Sequence, residues 1–280
     1  MFHWRSLTEV PTGWGPSAVT IGKFDGVHLG HVEILRQLSE ISTTRRLKST
    51  VITFDRHPAS LLSPGKLPAD ILSTQDRLAL IEQQNIDASL VLAFDTELAG
   101  LSPRDFVTTI LLGKLNTQVV LVGHDFRFGE NAAGDVATLQ QLGAELGFDV
   151  VLIDDVSPVD GVRVSSSLIR ELMGSGDVAA AALLLGRLPR VNGEVVHGEK
   201  RGRELGFPTA NLSQDATGLV PSDGVYAGWF LDGDNRYPAA ISVGTNPTFE
   251  GVNKRTVEAF LLDQNLDLYG HQVTIEFAAH

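Results

Sequence analysis

The sequence predicts an α/β protein in two parts: a doubly wound, mostly parallel sheet, then a small antiparallel β-barrel. Three observations carry this prediction. Up to Leu185, short β-branched runs alternate with helix-period segments. Most of those runs are apolar throughout, as parallel strands covered on both faces should be. Beyond Gly186 the helical period stops, and short strand-like runs separated by turn signals take over.

The first part supplies strand candidates at Ala18–Ile21, Ser49–Phe54, Ser89–Ala93, Gln118–Val122 and Asp149–Ile153. Helical patterns lie between and after them, at His31–Ser42, Thr74–Gln84, Pro103–Leu112 and Ala137–Leu146. In such a sheet ligands bind at the carboxyl ends of the strands. A further helix, Val178–Leu185, has Asp177 as its N-cap and Gly186 as its stop. Gly186-Arg187-Leu188-Pro189 then reads as a linker, giving domains 1–186 and 187–280. The second part has strand candidates at Val191–Val196, Val225–Leu231, Tyr237–Val243, Thr256–Leu262 and Gln272–Phe277, with the even spacing of a small barrel.

Composition narrows the function. The 280 residues are 43% hydrophobic, ample for a packed core. A formal net charge of -12 disfavours a broad nucleic-acid-binding face. A local cup of backbone N–H groups with a few Arg or His residues can still hold a nucleotide. The absence of cysteine excludes disulfides, thiolate nucleophiles and Cys-based metal sites. Met1–Trp14 has no apolar core of a signal peptide, and the longest strongly apolar run, Val178–Leu185, is too short to cross a bilayer. The expectation is a cytoplasmic protein with no membrane and no nucleic-acid partner; oligomeric state is not encoded legibly.

Gly22-Lys23-Phe24-Asp25-Gly26-Val27-His28-Leu29-Gly30-His31 leaves the first predicted strand and enters the first helix. His28 and His31 are three apart and can face the same side of a helical turn. A helix N-terminus and two imidazoles make an anion cup with directional donors, as in-line attack on a nucleotide α-phosphate requires. Taken alone, the pair fits equally a loop whose histidines satisfy backbone groups. A His-x-x-His metal site with His57 or His124 lacks recognisable spacing for its remaining ligands. The Gly-x-x-x-x-Gly-Lys-Ser/Thr phosphate loop is absent.

That string resembles the Gly-x-Phe-Asp-Gly-x-His-x-Gly-His signature of the bacterial bifunctional riboflavin kinase/FMN adenylyltransferases. Lys23 stands where the family usually has Asn or a small polar residue. The resemblance implies catalytic roles for His28 and His31, and nucleotide contacts for Gly22, Phe24, Asp25 and Gly30. Val164-Ser165-Ser166-Ser167-Leu168-Ile169-Arg170 is similar to a second signature, Ile-Ser-Ser-Thr-x-x-Arg. It implies phosphate contacts from Ser166, Ser167 and Arg170, with Arg163 just upstream; Leu168 replaces a frequent Arg. On residue types alone, the same string is an ordinary helix cap with a solvated Arg. Gly123-His124-Asp125-Phe126-Arg127-Phe128-Gly129 and Phe54-Asp55-Arg56-His57-Pro58 resemble family loops, implying a flavin pocket with Asp125, Phe126, Phe128 and His57. Bottom-up, Asp125 and its two aromatics could equally form a turn with core-facing rings.

The second part carries its own signature. Gly198 to Leu212 combines glycines and cations with Thr209 and Asn211, whose alternate spacing puts both oxygens on one face of an extended strand. A hydroxyl and a carbonyl there can hold Mg²⁺ against ATP phosphates. Gly206-Phe207-Pro208-Thr209-Ala210-Asn211 resembles the riboflavin kinase signature, implying nucleotide contacts at Gly202 and Gly206 and metal contacts at Thr209 and Asn211. Gly224-Val225-Tyr226-Ala227, Val257-Glu258 and Asp267-Leu268-Tyr269-Gly270 are further matches, and Glu258 is implied as general base. Without the motif, Glu258 reads as an outward polar residue on an alternating strand. The family usually continues past the last barrel strand with a C-terminal helix, so an impaired kinase half is also expected. The resemblance implies FAD biosynthesis: riboflavin and MgATP give FMN, then FMN and MgATP give FAD and pyrophosphate. The alternatives are a nucleotidylyltransferase for another phosphorylated acceptor, or a non-catalytic flavin-binding or flavin-sensing protein.

Overall fold

A computed structural model describes residues 1–56, 69–154, 161–198, 209–247, 253–264 and 266–280. The chain divides into two compact units, one of residues 1–68 and 74–157, the other of 69–73 and 158–280.

The first unit is built on a six-stranded sheet of order β1-β4-β3-β2-β5-β6, parallel at every pairing. Its strands are β1 (Phe2–Trp4), β2 (Ser17–Ile21), β3 (Lys48–Phe54), β4 (Ala88–Leu92), β5 (Thr117–Gly123) and β6 (Asp149–Ile153). β2 and β4 are buried along their whole length, so their outward and inward positions alike are apolar or small, with Ser17, Thr20 and Ser89 buried among them. Successive strands β2, β3 and β4 run one way from the middle, and β5 and β6 lie on the other side. The order therefore reverses between β2 and β5, where an open α/β sheet forms its ligand crevice.

Elements that differ from the sequence expectation include β1 and the helix that begins at Pro103. β1 is a short edge strand, paired through Phe2, His3 and Trp4 to Ala88, Ser89 and Leu90. Trp4 packs edge-on against Trp14 at 4.6 Å, and the Trp14 indole donates to Thr50 Oγ1 at 3.0 Å. The expected helix Pro103–Leu112 starts as one α-helical turn, Pro103–Asp105, and continues as a π-helix over Phe106–Leu112. It buries Phe106, Val107, Ile110 and Leu111, so the register change keeps one apolar face on the core.

The second unit opens with the helices Ser166–Ser175 and Val178–Leu185. Asp177 caps the latter by accepting from Ala180 N–H at 3.0 Å, and Gly186 ends it in the left-handed region. A closed antiparallel barrel follows, of order β10-β11-β8-β7-β12-β9. Its strands are β7 (Arg190–Val196), β8 (Thr209–Leu212), β9 (Gly224–Asp232), β10 (Asn235–Pro247), β11 (Asn253–Leu261) and β12 (Gln272–Ala279). Alternation fills the lumen: Val191 and Val195 of β7, Tyr226 and Phe230 of β9, and Ile275 and Phe277 of β12 are all buried.

Candidate functional site

β2 delivers the chain into a tight turn at the reversal point of the first sheet. Gly22 N–H continues the ladder by donating to Ile52 O at 3.0 Å. The next residues leave regular geometry: Phe24 has φ 52° and Val27 φ 38°, yet both are buried, at 2% and 1% exposure. A bulky residue and a β-branched residue in that region store strain of roughly 1–3 kcal/mol each, a cost that concentrates at binding sites.

The strained turn ends at His28, the N-cap of α1 (Leu29–Arg45). Its extended backbone lets the ring turn back, and Nδ1 accepts from His31 N–H at 3.3 Å. A neutral imidazole that accepts at Nδ1 carries its proton on Nε2, so the cap also fixes the tautomer. The His31 ring stacks on His28, with centroids 3.7 Å apart and planes 17° from parallel, and Phe24 backs His31 at 5.0 Å. A β-carbon on Gly30 would come within 3.2 Å of the His28 ring, so the glycine gives the imidazole its space. Two stacked imidazoles thus stand over the first turn of a 17-residue helix, whose leading N–H groups favour an anion.

β5 adjoins β2, with Thr20 opposite Leu121, so its exit flanks the same crevice. There Asp125 is exposed and Phe126 half-buried, while Phe128 is buried against Phe106 at 5.9 Å. Phe126 stacks on Phe128 at 5.4 Å and 14°. Of the two aromatics, Phe128 faces the core and Phe126 keeps a face toward solvent. His57, at the β3 exit, lies outside the described residues, as do Gly202 and Gly206.

The second unit holds the remaining phosphate-contact candidates. Ser165 is the N-cap of the helix Ser166–Ser175, accepting from Leu168 N–H at 3.2 Å. Ser166 and Ser167 form its first turn, half-buried and exposed respectively, and Arg163 just upstream is exposed. Arg170, five residues after the cap, donates through Nε to Ala69 O at 2.9 Å.

On the barrel, Glu258 of β11 is the register partner of Asn211 of β8. Thr209 and Asn211 share one side of β8, half-buried, while Ala210 and Leu212 point inward. Thr209 Oγ1 donates to Glu258 Oε2 at 3.2 Å, and Asn211 Nδ2 donates to Thr209 O at 3.3 Å. A carboxylate, a hydroxyl and an amide therefore form one connected oxygen-rich group. A β-carbon on Gly198 would fall 2.5 Å from the Asn211 amide carbon.

Two family models match the chain, one in each half. The FAD synthetase family model matches residues 11–168, and the riboflavin kinase model matches residues 185–280. The bifunctional riboflavin kinase/FMN adenylyltransferase of Escherichia coli K12 is 36% identical over 92% of this chain and 82% of its own length. Those of Pseudomonas fluorescens and Bacillus subtilis are 39% and 34% identical, covering 92% and 93% of this chain. The chain belongs to the bifunctional riboflavin kinase/FMN adenylyltransferase family. A solved structure described as a macrolide-efflux protein from Streptococcus pneumoniae shares the fold, with TM-score 0.89 and 29% identity over 100% of this chain and 90% of that one. Among the described residues here, no helix is long and apolar enough to cross a membrane.

Within this bifunctional riboflavin kinase/FMN adenylyltransferase framework, two residues escaped the sequence reading. Arg77 is 1% exposed and donates to the backbone at the exits of β2 and β3. Its signal was available: it shares a helix face with Leu78 and Ile81, where an apolar residue is the default. Gly198 was legible as a loop glycine, but its closeness to Asn211 depends on how β7 and β8 pair.

Proposed function

We propose that the chain makes FMN and then FAD, with phosphorylation on the barrel and adenylylation at the parallel sheet. The single observation that carries this reading is the His28–His31 stack over the first turn of α1, at the sheet's reversal point. The functional boundary is placed at residue 186, with residues 1–186 serving adenylylation and 187–280 serving phosphorylation.

In the first reaction Glu258 accepts the proton of the ribityl 5′-hydroxyl of riboflavin. That oxygen bonds to the γ-phosphorus of ATP as the bridge to ADP breaks. Thr209 and Asn211 offer hard oxygen donors of the kind Mg²⁺ takes, and the ion characteristically completes its shell with substrate phosphates and water. Mg²⁺, when bound, neutralises charge on the transferring phosphoryl group.

In the second reaction an oxygen of the FMN phosphate bonds to the α-phosphorus of ATP, and the bond to pyrophosphate breaks. His28 Nε2–H and His31 donate to the oxygens that gain charge there, so no covalent intermediate with the enzyme is needed. Gly22, Phe24, Asp25 and Gly30 shape the nucleotide cup; for Arg163, Ser166, Ser167 and Arg170 the family resemblance is what supports a phosphate-contacting role. Asp125, Phe126, Phe128 and His57 contribute to the flavin pocket, with Phe126 offering the half-exposed ring. Gly202 and Gly206 cover the kinase nucleotide. The location proposed for the chain is the cytoplasm, where ATP and free flavin are both at hand.

The test incubates the chain with riboflavin, ATP and Mg²⁺ and separates flavins and phosphates over time. FMN with ADP should appear first, then FAD with pyrophosphate in equal amounts. Pyrophosphate release that ignores flavin would overturn the reading.

The steric fit at Gly198 gives a further expectation. Gly198→Ala places a methyl group where the Asn211 amide stands, so Asn211 must turn away from Thr209 and Glu258. Riboflavin phosphorylation should fall about tenfold, corresponding to about 1.4 kcal/mol, with a raised Mg²⁺ requirement. FAD formation from added FMN should not change. A variant with unaltered phosphorylation and Mg²⁺ dependence would remove Asn211 from the metal site.

A further inference from the structure

Arg77 is the largest fully buried side chain of the described residues, and it is a cation. It rises from the helix Thr74–Glu82 into the floor beneath the strand exits of the first unit. Nη1 donates to Lys23 O at 3.0 Å, Nη2 donates to Phe54 O at 2.6 Å, and Nη2 also reaches Thr74 Oγ1 at 3.2 Å. Lys23 O accepts a second bond, from Thr53 Oγ1 at 3.0 Å. One guanidinium thus ties the last residue of β3 to the second residue beyond β2. The residue that follows Lys23 is Phe24, where the strained turn begins, and four residues later that turn delivers His28.

A buried guanidinium is expensive to desolvate and is retained only where its donors are well used. A leucine would fill a helix face packed on a sheet at no such cost. What the planar fork adds is two fixed directions at once, which neither an apolar chain nor a point-charge ammonium reproduces. Two of the bonds go to main-chain carbonyls, those of Lys23 and Phe54, and these fix the path of the backbone at both strand exits.

We propose that Arg77, assisted by Thr53, is a positioning residue for adenylyl transfer. It acts through Lys23 and the Gly22–His31 turn to hold the two imidazoles in line with the α-phosphate. This rests on the assignment of FAD formation to the His28–His31 site. Small displacements of catalytic groups lower the rate of the chemical step more than they weaken substrate binding.

The experiment uses the full chain and measures FAD formation from added FMN, riboflavin phosphorylation in the same preparation, and thermal unfolding. Arg77→Met should lower kcat for FAD formation at least about tenfold, with KM for FMN and ATP within about threefold of wild type. Phosphorylation should be unchanged, which controls for folding. Arg77→Lys keeps the charge but reaches one carbonyl, and should recover part of the loss. Thr53→Val should give a smaller loss in kcat, and adding it to Arg77→Met should cost less than the product of the two effects, because both act on one carbonyl. If Arg77→Met does not fold, Arg77→Lys and Thr53→Val decide. Full kcat in both, or losses shared equally by the two reactions, overturns the proposal. A wild-type chain that makes no FAD would instead refute the underlying assignment.

Discussion

Replacing His28 with alanine is expected to lower FAD formation 100- to 1,000-fold, about 2.7–4 kcal/mol of transition-state stabilisation, while riboflavin phosphorylation stays intact. Two losses coincide in that variant. The imidazole Nε2–H no longer meets the α-phosphate, and the cap on His31 N–H disappears. Cap removal alone costs about 1 kcal/mol of stability and does not touch the barrel. His28→Asn separates the two, because asparagine is a strong N-cap without an imidazole. Asn should restore the thermal midpoint but not FAD formation. Steady-state rates of both products, with a melting curve for each variant, read this directly. Equal losses of FMN and FAD formation would contradict the assignment of the two reactions to two sites.

Glu258→Gln should produce the opposite pattern. Phosphorylation should fall by about 100- to 10,000-fold, the range associated with a general base, while FAD formation from added FMN continues. Glutamine is nearly isosteric and can still accept from Thr209 Oγ1, so the β8–β11 pairing that sets Asn211 opposite position 258 should survive. The assay is ADP release in riboflavin and ATP, with FAD formation as the internal standard. A variant within about threefold of wild type would return residue 258 to the bland reading, a polar side chain on an alternating strand.

Much of this was legible in the sequence because burial leaves a pattern. β2 and β4 are covered on both faces, so their runs lack charged residues and show no polar alternation, and the helix Val178–Leu185 announces itself through Asp177 and Gly186. The His28–His31 spacing correctly brought the rings together. That His28 would itself be the cap, pinned in one tautomer by the backbone it serves, needed the φ/ψ of the turn. β1 was invisible because three residues carry no period, and only their pairing with β4 makes them a strand. The π-helical register of Phe106–Leu112 is equally a tertiary effect, since Phe106, Val107, Ile110 and Leu111 suit either register and the core chooses. Arg77 was missed because a charged side chain on a helix is assumed to be solvated. The carbonyls that satisfy it come from strand exits 54 and 23 residues away in sequence.

The three tryptophans are divided between the two units: Trp4 and Trp14 interlock in the first, and Trp229 lies under the Arg236 guanidinium in the barrel. The first pair is buried, so its emission should shift to the red only when the parallel sheet opens. In a Trp229→Phe background the intrinsic fluorescence becomes an optical gauge of that sheet alone. The parallel sheet's loss of order can then be timed without attaching a dye.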